Sequence, residues 1–220
     1  MVRYKRLRMD DETSPAPAQT ETVSYSSYSQ PAQQLELNVV DNHIYFYQDI
    51  DQISSLSLIK SLRAAENIIL NEANNKSLPS EYPLTPIWLH IMSNGGDLFS
   101  SFAISDLIHS MKVPVYSVIE GVAASGATVI SMSCNKRYIM PNAFFMIHQF
   151  SGGIWGTYEE HKDSMKLDDM AIQTMIDFYS SHSKMKKSEI KKMLKHDSWL
   201  NSTKALELGF VDYIFGKQGK

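Results

Sequence analysis

Ser125 follows a run of small residues, Gly121-Val122-Ala123-Ala124, and is itself followed by Gly126-Ala127. His148 closes a second apolar stretch, Met146-Ile147-His148-Gln149, and Asp197 lies downstream in His196-Asp197-Ser198-Trp199-Leu200. A hydroxyl, an imidazole and a carboxylate, each at the edge of an apolar element, are the parts of a serine nucleophile with its base and orienting acid. A neutral serine is a poor nucleophile until a base takes its proton and donors receive the oxyanion that forms. Two glycine-bearing turns offer backbone N–H groups for that purpose. One is Gly95-Gly96, read as a strand-to-helix turn. The other is Gly126 at a helix start, where N–H groups point outward and the helix dipole favours negative charge.

Spacing alone leaves other readings open. A serine at a helix start is ordinarily a cap, and a lone histidine is often a satisfied core residue. Asp168, Asp169, Asp177 and Asp212 are almost as eligible as Asp197 for the third position. Position 123 is alanine, so Ser125 is not in a G-x-S-x-G elbow, and the chain order Ser–His–Asp is not that of α/β-hydrolases. His43, His90, His109, His161, His182 and His196 show no metal-ligand spacing, and the single cysteine, Cys134, adds none. No metal and no organic cofactor is expected. Cys134 excludes an internal disulfide and reads as a small buried hydrophobe.

The elements that must position these groups belong to a chain of 220 residues, 43% hydrophobic and 20% charged, with a net charge of -3. That is the profile of one soluble globular domain with a substantial core and no general attraction to nucleic acid or membrane. Residues 1–35 are rich in Ser, Thr, Gln, Pro and Ala and poor in large aliphatics, which predicts a flexible tail ahead of a domain over 36–220. The basic cluster Arg3, Lys5, Arg6, Arg8 has no apolar segment behind it, so it reads as a solvated tail rather than a secretory signal. No apolar run approaches the ~18 to 20 residues of a membrane span, and a cytoplasmic location is the simplest expectation.

Strands are predicted over His43–Tyr47, Ile87–Met92 (buried), Val113–Ile119, Lys136–Met140 and Ala143–His148. Helices are predicted over Ser54–Ala73, with Leu56, Ile59, Leu62 and Ile69 as its apolar face, after Asp97 up to Pro114, and over Gly126–Ser133. Asn74–Pro86 reads as a polar, proline-marked loop and Ser151–Gly156 as a flexible one. Thr157 and Glu160 have capping-box spacing, and the helix they open runs to about Ser181 with Met165, Ile172, Met175, Ile176 and Tyr179 as a stripe. Ser188–Lys195 is a shorter basic helix. Strands alternating with helices predict an α/β domain.

Four ordered motifs over residues 87–212 together resemble the ClpP family, the proteolytic subunits of Clp proteases. They are Ile91-Met92-Ser93-Asn94-Gly95-Gly96, Gly121-Val122-Ala123-Ala124-Ser125, Pro141-Asn142 through Met146-Ile147-His148-Gln149 with Gly152-Gly153, and Asp197-Ser198-Trp199-Leu200-Asn201 leading to Ala205, Gly209 and Val211-Asp212. The resemblance implies a ClpP/crotonase-type spiral of ββα units, with the helix from about Thr157 to Ser181 as a protruding handle. It implies Ser125, His148 and Asp197 as catalytic triad and the N–H groups of Gly96 and Gly126 as oxyanion donors. It implies self-association into heptameric rings, stacked as a tetradecamer around a chamber, with an AAA+ unfoldase ATPase delivering unfolded protein or peptide. Two further functions share the fold: a catalytically silent ring subunit, and a phage capsid-maturation protease. Acyl-CoA enzymes of the crotonase type share the spiral but not the Ser–His–Asp set.

The sequence departs from the family pattern at three places. Asn94 and Phe150 stand where prolines are usual, and Gly126 stands where methionine is usual. Gly126 keeps its N–H but implies a looser backbone with no side chain over the site. Residues 1–42 lack the family's usual N-terminal segment, and 74–86 has the look of an insertion.

Overall fold

The computed structural model describes residues 38–77, 79 and 82–216. The tail expected over 1–35 lies outside them. A hairpin opens the described chain: β1 (Asn38–Val40) runs antiparallel to β2 (His43–Phe46). Asp51 caps α1 (Gln52–Asn75), its side chain accepting from the Ser54 N–H while Ser54 Oγ accepts from the Asp51 N–H. This cap starts the helix ahead of the predicted Ser54. Next come β3 (Ile87–Ser93), α2 (Leu98–Ser110, capped by Asp97), β4 (Val115–Ala124) and α3 (Gly126–Met132). Strands β5 (Lys136–Ile139) and β6 (Phe144–Ile147) precede the long α4 (Tyr158–Ser181), whose N-cap Thr157 exchanges hydrogen bonds with Glu160. The chain continues through α5 (Lys187–Met193), β7 (Ser198–Asn201), α6 (Ser202–Leu208) and β8 (Tyr213–Ile214).

Strands β2, β3, β4, β5 and β8 lie side by side and parallel, with β1 on the outer edge. The path forks at β4. Its first half, Tyr116–Ile119, pairs with β5, and its second half, Val122–Ala124, pairs with β6. Between the two, Gly121 takes φ +79, and the register against β3 shifts so that Ser93 faces Ala123. A left-handed residue and a bulge at one point let a single strand serve two directions. Residues 121–124, which lie beyond the strand predicted to end at Ile119, are therefore strand as well.

The core lies where helices cover the sheet. Ile44 and Phe46 of β2, Leu89 and Ile91 of β3 and Ile119 of β4 pack against Leu58, Leu62, Ile104, Val129 and Ile130 of the helices. In α1 the buried face is Leu58, Leu62 and Ala65, while Leu56 is exposed, because the helix sits one residue round from the predicted stripe. A parallel sheet normally has both faces covered, so Ile87–Met92 reads from sequence as fully buried. Here Met92 is exposed and Trp88 half-buried. The outer face carries Tyr45 stacked on His90, with Trp88, Tyr116, Tyr138 and Tyr213 in a continuous aromatic row. Across it His43 Nδ1 lies 2.9 Å from His90 Nε2, His90 Nδ1 lies 2.8 Å from Glu120 Oε1, and the Tyr47 hydroxyl donates to Glu120. Partial burial, then the Glu120 carboxylate, raise the Tyr47 pKa far above its ordinary value.

Arg137 holds Asp212 by paired guanidinium bonds at 2.5 and 3.0 Å and reaches the His182 carbonyl at 2.6 Å, tying β5 to the C-terminal segment and the end of α4. Burial pushes the Cys134 thiol up to about 12, which makes it an inert core residue. The buried Glu66 of α1 accepts from Arg63 Nη1 at 3.0 Å and from the Lys112 N–H at 2.7 Å, pinning α1 to the turn before β4. Glu66→Ala strands that N–H and is expected to cost about 1–3 kcal/mol, read as a lower urea midpoint at unchanged m-value.

Candidate active site

Sheet pairing delivers the three candidate side chains. Val122, Ala123 and Ala124 of β4 pair in parallel with Phe144, Phe145 and Met146 of β6, and the ladder continues one step as the Ser125 N–H donates to the Met146 carbonyl at 2.9 Å. His148 follows β6 directly. On the other side of β6, Ile147 faces Ser198 in the antiparallel pair with β7, so the next pair along is His148 opposite Asp197. The Gln149 N–H donates to the Leu194 carbonyl at 2.8 Å and holds the two segments together beyond the strands. His148 Nε2 lies 2.9 Å from Ser125 Oγ, and His148 Nδ1 lies 3.2 Å from Asp197 Oδ1. The His148 side chain is 25% exposed and that of Asp197 67%.

None of the competing aspartates pairs with His148. Asp212 is held by Arg137, and Asp177 pairs with Lys187, whose hydrogen bond lowers the Asp177 pKa. Asp169 is exposed and outside the cavity described below, and Asp168 makes no ion pair among the described residues.

Ser125 itself has φ +53 and ψ -126, in the positive-φ half of the backbone map, where a non-glycine residue is strained. The sequence lacks the motif of a nucleophile elbow, yet the chain makes one, a sharp turn from β4 into α3. Three contacts hold it. Thr128 donates to the Ser125 carbonyl through its N–H at 3.0 Å and its hydroxyl at 2.6 Å. Tyr179 of α4 meets the Thr128 hydroxyl at 2.7 Å, and burial pushes the Tyr179 phenol up to about 12. Gly95, at φ +96, lies so close that a Cβ there would sit 2.5 Å from the Ala124 carbonyl and 2.8 Å from Ser125 Cβ. The sequence carried no sign of the Thr128–Tyr179 pair, because the two residues belong to different elements far apart in the chain.

Both oxyanion candidates line one cavity with Ser125 and His148. Gly96 bridges Ile50, but the ladder bonds run through its neighbours: Ile50 N–H to the Gly95 carbonyl at 2.7 Å and Asp97 N–H to the Ile50 carbonyl at 2.8 Å. That leaves the Gly96 N–H outside the ladder. Gly126 opens α3, where the N–H has no partner within the helix. The cavity, about 580 Å³, is walled by Leu98, Val129, Met146, Phe150 and Met175. Gly126 is buried, and an added Cβ would drive into Ser101 Oγ, itself bonded to the Asp97 carbonyl at 2.8 Å. Ser101 fills the space beside Gly126.

A family model, Clp protease, matches residues 39–218. The chain belongs to the Clp protease family. That family is one of serine peptidases. An ATP-dependent Clp protease proteolytic subunit 2 from Treponema denticola is 33% identical over 134 residues, covering 59% of this chain and 66% of that protein. An ATP-dependent Clp protease proteolytic subunit from Deinococcus radiodurans is 29% identical over 143 residues, covering 62% and 68%. The chain thus spans about two thirds of the length of these curated relatives. A mutant ClpP1 from Listeria monocytogenes shares the fold at a TM-score of 0.68 and 24% identity, over 81% of this chain and 93% of that one. The ClpP-type α/β fold implied by the family resemblance is the fold of this chain. Among the described residues, no helix is long and apolar enough to cross a membrane.

The Ser101–Gly126 contact yields a testable reversal of sign. Alanine for glycine inside a helix ordinarily gains about 1 kcal/mol, whereas overpacking costs about 1–3 kcal/mol. Gly126→Ala is expected to lower the melting temperature in the native background and to raise it in a Ser101→Gly background, as measured by a four-variant thermal cycle.

Proposed function

We propose that this chain is the proteolytic subunit of an ATP-dependent Clp-type protease, an endopeptidase that hydrolyses unfolded polypeptides inside an oligomeric chamber. The observation that carries the reading is the succession of Ser125 Oγ hydrogen-bonded to His148 Nε2 at 2.9 Å and His148 Nδ1 lying 3.2 Å from Asp197 Oδ1, with Ser125 and His148 lining a cavity that also holds two unladdered glycine N–H groups. Ser125 Oγ attacks the peptide carbonyl as His148 Nε2 takes its proton. The Gly96 and Gly126 N–H groups receive the oxyanion of the tetrahedral intermediate. His148 passes the proton to the leaving amine, an acyl-Ser125 ester remains, and a water deprotonated by His148 hydrolyses it. Asp197 holds Nδ1–H, so that Nε2 faces the serine. No step needs a metal or an organic cofactor.

Assembly into heptameric rings, stacked as a tetradecamer, and delivery of substrate by an AAA+ unfoldase come from the family resemblance. The exposed apolar side chains at the start of α4 support self-association: Tyr158, Met165, Leu167 and Met170 are uncovered, and so is Trp155 just before it. Only Met175, Ile176 and Tyr179, in the second half of the helix, are buried within the subunit.

The test is labelling of the purified full-length chain with a fluorophosphonate, counted by intact mass. One adduct is expected on the native chain and none on Ser125→Ala. A folded, assembled chain without an adduct would instead favour a silent ring subunit. Asp197→Asn is expected to slow labelling by less than the ~10⁴-fold loss seen in enclosed triads, because the Asp197 carboxylate is 67% exposed.

A further inference from the structure

Two carboxylates that the reaction does not use line the active-site cavity, Asp97 and Asp168. Asp168, on the inward side of α4, lines the cavity together with Leu167, Ala171 and Met175. It is half-buried, and no hydrogen bond or ion pair engages it among the described residues. Two other polar side chains of the wall are occupied. The Tyr179 hydroxyl is held by Thr128 at 2.7 Å, and the Asp97 carboxylate caps α2 through the Ser100 N–H at 2.8 Å. Asp168 also borders the adjoining cavity that contains Lys195, His196 and Asp197, yet it pairs with neither Lys195 nor His196.

A carboxylate partly withdrawn from water without a partner is unfavourable, and a cation that pairs with it recovers that loss. The remaining walls, Val129, Met146, Phe150 and Met175, suit a long apolar stem. The geometry points to Asp168 as the specificity-determining residue of the pocket beside Ser125, selecting substrates with lysine or arginine on the acyl side of the cleaved bond. The methylenes lie along the methionines and the charged head meets the carboxylate. This inference rests on the proposed peptidase reading and adds to it the class of residue cleaved. A site with a charged group poised for a substrate partner rejects the isostere that lacks it.

The experiment uses two peptidyl diphenyl phosphonates that differ only in the side chain next to phosphorus: lysine, or norleucine, which has the same stem without the ammonium. Labelling rates at Ser125 are followed by intact mass on the full chain at low ionic strength, alongside the fluorophosphonate. The native chain is expected to react at least tenfold faster with the lysine probe. In Asp168→Asn the lysine-to-norleucine ratio is expected to fall at least tenfold, and in Asp168→Glu to stay in favour of lysine. The ratio cancels any general loss of folded protein. A native ratio of one or below, or a ratio unchanged in Asp168→Asn, overturns the assignment while leaving the peptidase reading intact. So does reaction with the fluorophosphonate but with neither peptide probe. Absence of all labelling overturns both.

Discussion

The register of one four-residue strand, β6, is the constraint on which the candidate site depends. Phe144–Ile147 pairs in parallel with the end of β4 on one side and antiparallel with β7 on the other. Ser125 leaves the first neighbour, Asp197 enters the second, and His148 leaves β6 between them. Because side chains alternate along a strand, a slip of one residue would turn His148 to the opposite side. The slip is opposed by the burial of Phe145 and Ile147, which pack into the core while Phe144 faces outward. Hydrophobic burial at two positions thus sets the distance between a hydroxyl and an imidazole.

The fork in β4 is what allows β6 to be there at all. A straight β4 would keep β5 as its neighbour along its whole length. Gly121, with its left-handed backbone, and the shifted register opposite Ser93 free the second half to pair elsewhere. The strained turn at Ser125 follows, and its neighbours hold it: Gly95 packs too closely to admit a side chain, and Thr128 is anchored through Tyr179 to α4. Strain at a reacting residue persists where surrounding contacts over-determine it. The same helix that anchors the turn also walls the cavity with Leu167, Asp168 and Met175, so α4 serves the site as well as the surface.

Among the described residues, two surfaces stay uncovered. The sheet's outer face presents an aromatic row with the His43–His90–Glu120–Tyr47 network, and the first half of α4 presents methionines and leucine. Half-burial of tyrosine and tryptophan on one face of a parallel sheet is unusual where helices ordinarily lie on both. The polar network links His43, His90, Glu120 and Tyr47 across that otherwise apolar face.

Much of this was legible in the residues alone. Hydrophobic periodicity located α2 and the core half of α4, the Thr157–Glu160 box located the start of the latter, and the small residues around Ser125 marked the chemistry. The short C-terminal elements β7, α6 and β8 escaped, because strands of two to four residues carry too little periodicity to register. Residues 121–124 fell outside the predicted strand for a related reason: glycine and alanine are weak strand formers, and only pairing with β3 and β6 makes them a strand. The types of the reacting groups and their order belong to the sequence. Which of several aspartates meets His148, how far Ser125 is strained, and why Asp168 is left without a partner were decided by tertiary structure. The physical reason is that each depends on strand register and helix packing between segments distant in the chain, and no local preference encodes these.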